Sequence, residues 1–379
     1  MQNSLKIPEG WSVKKLGDIG KICMCKRIFK EQTHHCGEVP FYKIGTFGEK
    51  ADAFISWELF AEYKQKYSYP KIGDILISCS GTIGRTVIFN GQPSYFQDSN
   101  IVWINNDENI LLNQYLFYLY NIIKWKSTES STIARLYNDN IKNTKIYFPP
   151  LPEQEKIAGI LSCWDDGIEK LSALIEKKKT QKKALMQQLL TGKHRLKGFS
   201  TQWDERYLVD LCDFNKGQQL NKADMLVNGR YPVLNGGVSY SGYTNDWNTK
   251  NNTITISEGG NSCGFVSFIK EKFWCGGHCY TVFDIKTDIM FLYHLLKYNE
   301  NNIMNLRVGS GLPNIQISSL YRFKVLVPSD FAEQNAIAEI LSKADEEIEL
   351  LNKKLEALKQ EKKALMQQLL TGKIRVKVN

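Results

Sequence analysis

The sequence predicts an α+β fold in which two α/β globular segments occur in tandem, each followed by a long helix. Three observations predict it. The stretch KKALMQQLLTGK occurs at 182–193 and recurs letter for letter at 362–373. Each copy ends a long run whose apolar residues alternate in steps of three and four. Residues 1–150 and 194–330 carry short strand and turn patterns instead. So long a period indicates two large halves rather than a solenoid of small repeats.

Each long run is expected to be a helix that packs against another helix along its length, because steps of three and four form a heptad seam. Pro152 suits a first helical turn, where its missing N–H costs nothing. Gly192 and Gly372 suit the left-handed position that ends a helix. The alternative is a generic helical hairpin, but two near-identical helices favour pairing with each other. The seam of the second copy comprises Ile337, Leu341, Ala344, Ile348, Leu351, Leu355, Leu358, Lys362, Leu365 and Leu369.

The two globular segments share a fainter order of elements. Each opens with Trp-x4-Leu-x-Asp, beginning at Trp11 or Trp203, and continues into a short strand. An amphipathic helix then follows, capped by Asp107 in one segment and by Asp288 in the other. The remaining matched elements are hairpins at 74–89 and 252–269, strands at 100–105 and 280–285, and last strands at 145–150 and 323–328.

These patterns give a division into four parts. Residues 1–150 form the first globular segment and 151–193 the central helix. Residues 194–330 form the second globular segment, and 331–379 the C-terminal helix and tail.

Composition limits the class of protein. The formal net charge is +9, and the globular segments and helix ends carry nearly all of the excess, which is a mild signal for a polyanionic partner. No uncharged apolar run approaches ~18 residues, so we expect no membrane segment. The N-terminus lacks the apolar core of a secretory signal. With nine irregularly spaced cysteines, this predicts free thiols and a cytoplasmic location.

The sequence carries no recognisable catalytic motif. There is no G-x4-G-K-[ST] loop for phosphate and no G-x-G-x-x-G between a strand and a helix. Phe148 precedes the Pro-Pro pair where an amino-methyltransferase would need Asp or Asn. Two cysteine–histidine clusters lack the paired spacing that holds zinc, so no metal site is expected; they are Cys23, Cys25, His34, His35 and Cys36, and Cys263, Cys275, His278 and Cys279.

The long runs resemble a known family. Pro-Leu-Pro-Glu-Gln-Glu-Lys-Ile-Ala at 150–158, the heptads, and Leu-Leu-Thr-Gly-Lys at 189–193 resemble the conserved regions of type I restriction–modification specificity subunits. The second copy, from Pro328 to Lys373, does so too. The openings at 7–18 and 198–203 are similar to the starts of that family's two target recognition domains. Residues 309–315 resemble the stretch before their last strand, whereas the counterpart near 135–140 departs from it.

The resemblance implies a division of labour. The two helices would pair as an antiparallel coiled coil and place two target recognition domains on an asymmetric, bipartite site in double-stranded DNA. The chain would dock two modification (methyltransferase) subunits and two restriction subunits. S-adenosylmethionine, ATP and Mg would belong to those partners, and this chain would hold no cofactor and catalyse no reaction. The complex would then methylate, or methylate and cleave.

Candidate DNA-reading residues are polar and basic side chains in loops between strands. Asn and Gln suit adenine, whereas Arg and Lys suit guanine or phosphate. The alternative for each is a solvated loop residue. The candidates are Lys26, Arg27, Lys30, Thr46, Ser80, Thr82 and Arg85 in the first segment, and Lys216, Gln218, Gln219, Asn221, Lys222, Asn235, Tyr240 and Asn261 in the second.

The repeated helix ends are candidates for docking partners, because two copies of one partner need two like surfaces. Helices that only packed on each other would not need identical outward residues. The candidates are Gln187, Gln188, Leu190, Gln367, Gln368 and Leu370. Basic residues beyond each helix end, such as Arg195 and Arg375, are either clamps on the DNA backbone or cations that answer the helix dipole.

One alternative from another class remains open. A non-catalytic adaptor, with two ligand-binding globular domains on a coiled-coil spacer, would share this architecture without binding DNA. It predicts no salt-dependent affinity for DNA.

Overall fold

The structure is a computed structural model that describes residues 7–125, 135–309, 311 and 313–378. It divides into two compact units. The first comprises Met1–Lys170 with Leu355–Asn379, and the second comprises Leu171–Lys354. Each unit therefore contains one globular segment, the start of the long helix that follows it, and the end of the other long helix.

The described residues of the first globular segment form short strands and three α-helices, and the segment leads into a long helix. The elements are β1 (Ser12–Lys15), β2 (Gly20–Cys23), β3 (Val39–Tyr42), β4 (Phe54–Ile55), α1 (Trp57–Lys66), β5 (Ile75–Ser78), β6 (Thr86–Ile88), β7 (Tyr95–Phe96), β8 (Ile101–Asn106), α2 (Asn113–Tyr120), α3 (Asn138–Asn143), β9 (Lys145–Phe148) and α4 (Leu151–Leu189).

The second segment repeats this plan with its own variations. Its elements are β10 (Trp203–Tyr207), α5 (Leu208–Leu211), β11 (Asp213–Lys216), β12 (Tyr231–Leu234), β13 (Gly242–Thr244), β14 (Thr253–Ser257), β15 (Val266–Ile269), β16 (Trp274–Cys275), β17 (Cys279–Phe283), α6 (Ile289–Tyr298), α7 (Glu300–Met304), α8 (Ile317–Tyr321), β18 (Lys324–Pro328) and α9 (Phe331–Leu369).

The sheets have the same order in both units. A four-stranded antiparallel sheet runs β2-β8-β5-β6 in the first unit and β11-β17-β14-β15 in the second. A three-stranded sheet runs β4-β3-β7 and β13-β12-β16, with one parallel pair in each. A two-stranded ribbon, β1-β9 or β10-β18, joins the beginning of each segment to the strand before its long helix. The predicted tandem α/β architecture is confirmed.

Most predicted elements are present, and one predicted cap is wrong. The Asp288 side chain accepts a hydrogen bond from the Phe291 N–H at 2.7 Å and caps α6. Asp107 does not cap α2, which begins only at Asn113. There the Glu108 carboxylate accepts from the Asn113 N–H at 2.8 Å. The Gln154 side chain accepts from the Leu112 N–H at 2.8 Å, so more distant groups satisfy this helix start.

The end of each long helix packs on the start of the other. In the first unit, Leu369 and Leu370 share a core with Ile157 and Leu161. In the second unit, Leu189 at the end of α4 and the next residue, Leu190, share a core with residues 337, 338 and 341 of α9. Within each unit the helices therefore meet end to start, and the apolar seam is buried there. Gly192 and Gly372 adopt the predicted left-handed conformation, with φ of 67° and 69°.

An arginine beyond each helix end is bound by a glutamate at the start of the other helix. Arg195 donates to both carboxylate oxygens of Glu333 at 2.6 and 2.7 Å. Arg375 binds Glu153 with the same two distances. Both glutamates are buried. For these two arginines the structure gives a third role, because each neutralises a buried carboxylate instead of answering its own helix dipole.

The described residues contain neither a metal-binding cluster nor a membrane-spanning helix. In the part of the chain that the structure describes, no group of three or more His, Cys, Asp or Glu side chains is arranged to hold a metal ion. None of the described helices is long and apolar enough to cross a membrane.

Candidate nucleic-acid interface

In the second unit, the loops after β11, β12 and β14 surround an open cleft of about 630 Å³. Two predicted DNA-reading residues, Lys216 and Asn235, line it. Glu258, His278 and Asn314 line it as well, together with several glycines. The cleft therefore combines a cation, a carboxylate, an imidazole and two amides.

Glu258 and Asn235 each contact other polar groups of this cleft. Lys216 Nζ lies 2.5 Å from Glu258 Oε1. The Tyr280 hydroxyl lies 3.2 Å from the same oxygen and 3.0 Å from the Ile315 carbonyl oxygen, so it can donate its proton to one of the two. Burial raises the pKa of Tyr280 above its ordinary value, so this hydroxyl keeps its proton. His278 Nδ1 approaches Glu258 Oε2 only to 3.7 Å. The Asn235 side-chain oxygen accepts from the backbone N–H of His278 at 3.4 Å.

Glycines allow the loops to come this close. Gly236 has φ of 80°, and a Cβ there would lie 2.3 Å from the His278 carbonyl oxygen. A Cβ at Gly276 would lie 2.4 Å from the Asn235 side-chain oxygen. Gly260, with φ of 77°, has no neighbouring atom within 4 Å of the corresponding position. Glycine is required at the first two positions by close packing, and at Gly260 it leaves the backbone open to the cleft.

The first unit has a cleft of about 590 Å³ lined by the predicted residues Arg27 and Lys30. Arg27 Nε donates to Asp98 at 3.0 Å. The predicted Ser80 donates from its hydroxyl to the Asn100 side-chain oxygen at 2.9 Å, and Asn100 lines the cleft. The wall of the cleft also includes Ser99, whose hydroxyl accepts from Arg135 at 3.1 Å.

The two clefts share an equivalent wall in their units, because Asn100 and His278 occupy corresponding backbone positions and line one cleft each. The Cys79 N–H donates to the Asn100 carbonyl at 2.7 Å, and its own carbonyl accepts from Leu136 at 2.8 Å. The Glu258 N–H donates to the His278 carbonyl at 2.9 Å, and its own carbonyl accepts from Ile315 at 2.8 Å. Position 79 therefore corresponds to position 258. Burial raises the pKa of the Cys79 thiol to about 12, so that side chain belongs to the core.

The other candidates of the first unit do not line this cleft. Lys26 is exposed, with Nζ 5.3 Å from the centre of the Tyr67 ring. The Thr46 hydroxyl accepts from the Lys43 N–H at 3.2 Å and shapes a turn. Arg85 donates to the Phe47 carbonyl at 2.8 Å and to Glu49 at 3.1 Å. Thr82 is exposed in the turn between β5 and β6.

The remaining candidates of the second unit are also exposed. The Tyr240 hydroxyl donates to Glu271 at 3.2 Å, and its pKa is raised chiefly by burial and also by this carboxylate. Asn261 lies in the turn between β14 and β15, which corresponds to the position of Thr82. Four further candidates follow β11 on one exposed loop, namely Gln218, Gln219, Asn221 and Lys222.

The candidates for partner docking divide by exposure. The glutamines at both helix ends (Gln187, Gln188, Gln367 and Gln368) are exposed. Leu190 and Leu370 are 2% and 1% exposed and belong to the cores of the units. A contact of either leucine with a partner would require the helix end to open, so the glutamines remain the surface candidates.

Sequence reasoning missed part of the clefts. In the sequence, His278 stands out only as part of a cysteine–histidine cluster, and no local pattern predicts Glu258, Asn314, Asn100 or Arg135 as site residues. The duplication contained a usable signal: once the strand pairs β5-β8 and β14-β17 are superposed, the residues that precede β8 and β17 fall into the clefts. Of the resemblance at 309–315, Ser310 and Leu312 lie outside the described residues.

The chain is similar to proteins of one family. The model of the type I restriction modification DNA specificity domain matches residues 8–181 and 200–360. A type I restriction enzyme specificity subunit of Haemophilus influenzae is 66% identical over 161 residues, which cover 42% of each chain. A specificity subunit of Methanocaldococcus jannaschii is 27% identical over 98% of this chain and 95% of its own.

Among solved structures, the S subunit of a type I restriction–modification system from M. genitalium has a similar fold. Its TM-score is 0.66 with 19% identity, and the likeness covers 97% of both chains. The matches to the Haemophilus relative and to two mycoplasma relatives span about two fifths of those proteins' own lengths.

Proposed function

The chain belongs to the family of type I restriction–modification DNA specificity proteins, and we propose that it is the non-catalytic subunit that selects the DNA sequence. It recognises an asymmetric, bipartite target in double-stranded DNA, one half-site with each unit. It docks methyltransferase subunits, and restriction subunits where the system cleaves. S-adenosylmethionine, ATP and Mg are held by those partners.

The observation that carries this proposal is the pair of corresponding clefts with different polar linings. A cleft with charged and amide side chains supplies the donors and acceptors needed to read base edges. Exposed cations such as Lys26 and Lys30 suit phosphate contacts, which fix the position of the protein on the duplex. Two clefts of one architecture but different chemistry suit two half-sites of different sequence.

The long helices supply the second part of the proposal. We propose that α4 and α9 pair along their whole length as an antiparallel coiled coil and set the number of unspecified base pairs between the half-sites. The end-to-start packing within each unit and the heptad seam support this. The exposed glutamines at the two helix ends would present two equal docking surfaces for two copies of the methyltransferase subunit.

Methylation mapping by long-read sequencing tests the proposal. A host that carries the chain with its methyltransferase subunits should show adenine methylation at one asymmetric bipartite motif. Deletion of this chain alone, with the methyltransferase genes intact, should remove that methylation. Methylation that persists unchanged without the chain would contradict the proposal and would favour a coiled-coil adaptor that does not bind DNA.

A further inference from the structure

We propose that Glu258 is a specificity-determining residue that accepts a hydrogen bond from the exocyclic amino group of a cytosine in the half-site read by the second unit. This inference rests on the proposed function and assigns one base contact within it. It concerns a residue that the pattern of polar loop residues did not single out.

The backbone of Glu258 is fixed more firmly than that of an ordinary loop residue. Its N–H and carbonyl are bound by His278 and Ile315, at 2.9 and 2.8 Å. The Cys263 thiol donates to the same carbonyl at 2.9 Å. Three bonds from three segments therefore hold the side chain at the cleft, and a preorganised group loses less entropy when a ligand binds.

The fold does not require a carboxylate at this position. The corresponding residue of the first unit is Cys79, which has equivalent backbone hydrogen bonds and is 1% exposed. The same ladder thus accommodates a small core side chain. In the second unit the carboxylate instead lines the cleft. A charged group that the architecture does not need, placed where a ligand is expected, indicates a role in recognition.

The chemistry of the carboxylate restricts what it recognises. A carboxylate only accepts hydrogen bonds, and it repels phosphate, so it does not serve to hold the DNA backbone. In the major groove, Glu and Asp suit the amino group of cytosine, which is a donor. Oε1 already accepts from Lys216 at 2.5 Å, whereas Oε2 lies 3.7 Å from the His278 ring, beyond hydrogen-bond distance. Oε2 is therefore the atom that accepts from the base.

Lys216 offsets the repulsion between the Glu258 carboxylate and the DNA phosphates. Its ammonium group balances the carboxylate, and its side chain is 53% exposed. The pair presents no net negative charge to the phosphates. Lys216→Met should therefore weaken binding to all sequences alike without changing the motif, because the base contact belongs to Glu258.

The test is methylation mapping with Glu258→Gln and Glu258→Ala in the chain with its methyltransferase subunits. One required C·G pair should become degenerate in one half-site, while the other half-site stays unchanged. The number of methylated sites should rise by up to about fourfold, because a position that required one base would then accept all four. The matched control is Glu205→Gln. It removes a similar lysine–glutamate pair, Lys324–Glu205 at 2.6 Å, on the ribbon outside the cleft, and should leave the motif intact.

A measurement on the wild-type complex guards against a variant that fails to fold. Duplex DNA with N4-methylcytosine at each required cytosine in turn places a methyl group on the amino group. Affinity should fall by about tenfold or more at one position of one half-site. A motif that is unchanged in Glu258→Ala overturns the inference, as do half-sites without a required C·G pair and equal binding of every modified duplex. Each of these results leaves the proposed function standing, whereas a wild-type chain that directs no methylation overturns that function itself.

Discussion

The helix ends and the clefts show opposite relations between the two halves of this molecule. At the helix ends, Arg195–Glu333 and Arg375–Glu153 repeat the same bidentate geometry, with distances of 2.6 and 2.7 Å. Beside the clefts, equivalent backbone positions carry Cys79 in one unit and Glu258 in the other. Repetition thus coincides with the groups that hold each unit together, whereas divergence occurs at a position whose side chain is in the core of one unit and lines the cleft of the other.

The largest effect should come from breaking one of the repeated arginine–glutamate pairs. Arg195→Met leaves the fully buried Glu333 carboxylate without its cation, which should lower the free energy of unfolding by about 3–5 kcal/mol. Urea denaturation would measure the loss. Hydrogen exchange should rise at 331–345 but not at 151–165, and Arg375→Met should give the reverse pattern.

A control variant distinguishes the loss of a buried ion pair from the loss of an exposed one. Lys324→Met breaks a surface pair of similar length, and no measurable change in the urea midpoint is expected. If Arg195→Met were as harmless as Lys324→Met, the pairs at the helix ends would not stabilise the units, and their repetition would need another explanation.

A smaller effect, on the stability of the second unit, should appear only at acidic pH. His294 occupies the position of Tyr118, and each faces an aspartate of a long helix: Tyr118 donates to Asp165, and His294 Nδ1 lies 3.8 Å from Asp345. Burial, together with the neighbouring Lys182, lowers the pKa of His294 to about 4, although Asp345 opposes this.

The sign of the pH dependence follows from that pKa. Between its ordinary value of 6.5 and about 4, the unfolded chain binds a proton that the folded chain does not. The stability of the second unit is therefore complete above pH 6.5 and falls as the pH drops toward 4, by at most about 3 kcal/mol. His294→Gln should flatten this part of the stability profile relative to wild type in urea titrations at several pH values. Parallel profiles for the two proteins would contradict the account.

The smallest effect should distinguish the starts of α2 and α6. Asp288→Ala removes a helix cap and should cost about 0.5–2 kcal/mol. Asp107→Ala should change stability by less than ~0.5 kcal/mol, because the hydrogen bond that Asp107 accepts comes from the Asn109 N–H in an exposed turn and not from α2. Thermal unfolding of both variants checks the difference. Equal losses would mean that Asp107 supports α2 after all.

The sequence predicted the elements well where a single physical signal determines them. The heptad seam and the glycine after each helix end predict both long helices, and the apolar runs broken at Gly and Ser predict both hairpins. It failed where partners are distant along the chain. Gln154, whose side chain accepts from Leu112 and donates to the Ile110 and Pro149 carbonyls at 2.8 Å, replaces the expected cap, and no local pattern reveals this.

The clefts were predictable only in part for the same reason. Polar loops contain or adjoin Lys216, Asn235, Arg27 and Lys30, and their polar composition predicts these residues as candidates. Glu258 follows a buried strand, so it looks like the end of a core segment until the fold brings His278 and Asn314 beside it.

The most direct test of the central claim is to lengthen the long helices. One heptad inserted between Leu171 and Lys182, with a matching heptad between Leu351 and Lys362, adds about 10 Å of helix. Methylation mapping should then show both half-sites unchanged and a spacer longer by about three base pairs, at ~3.4 Å per base pair. The same half-sites with the original spacer would contradict the account, because the paired helices would then not set the distance between the two half-sites.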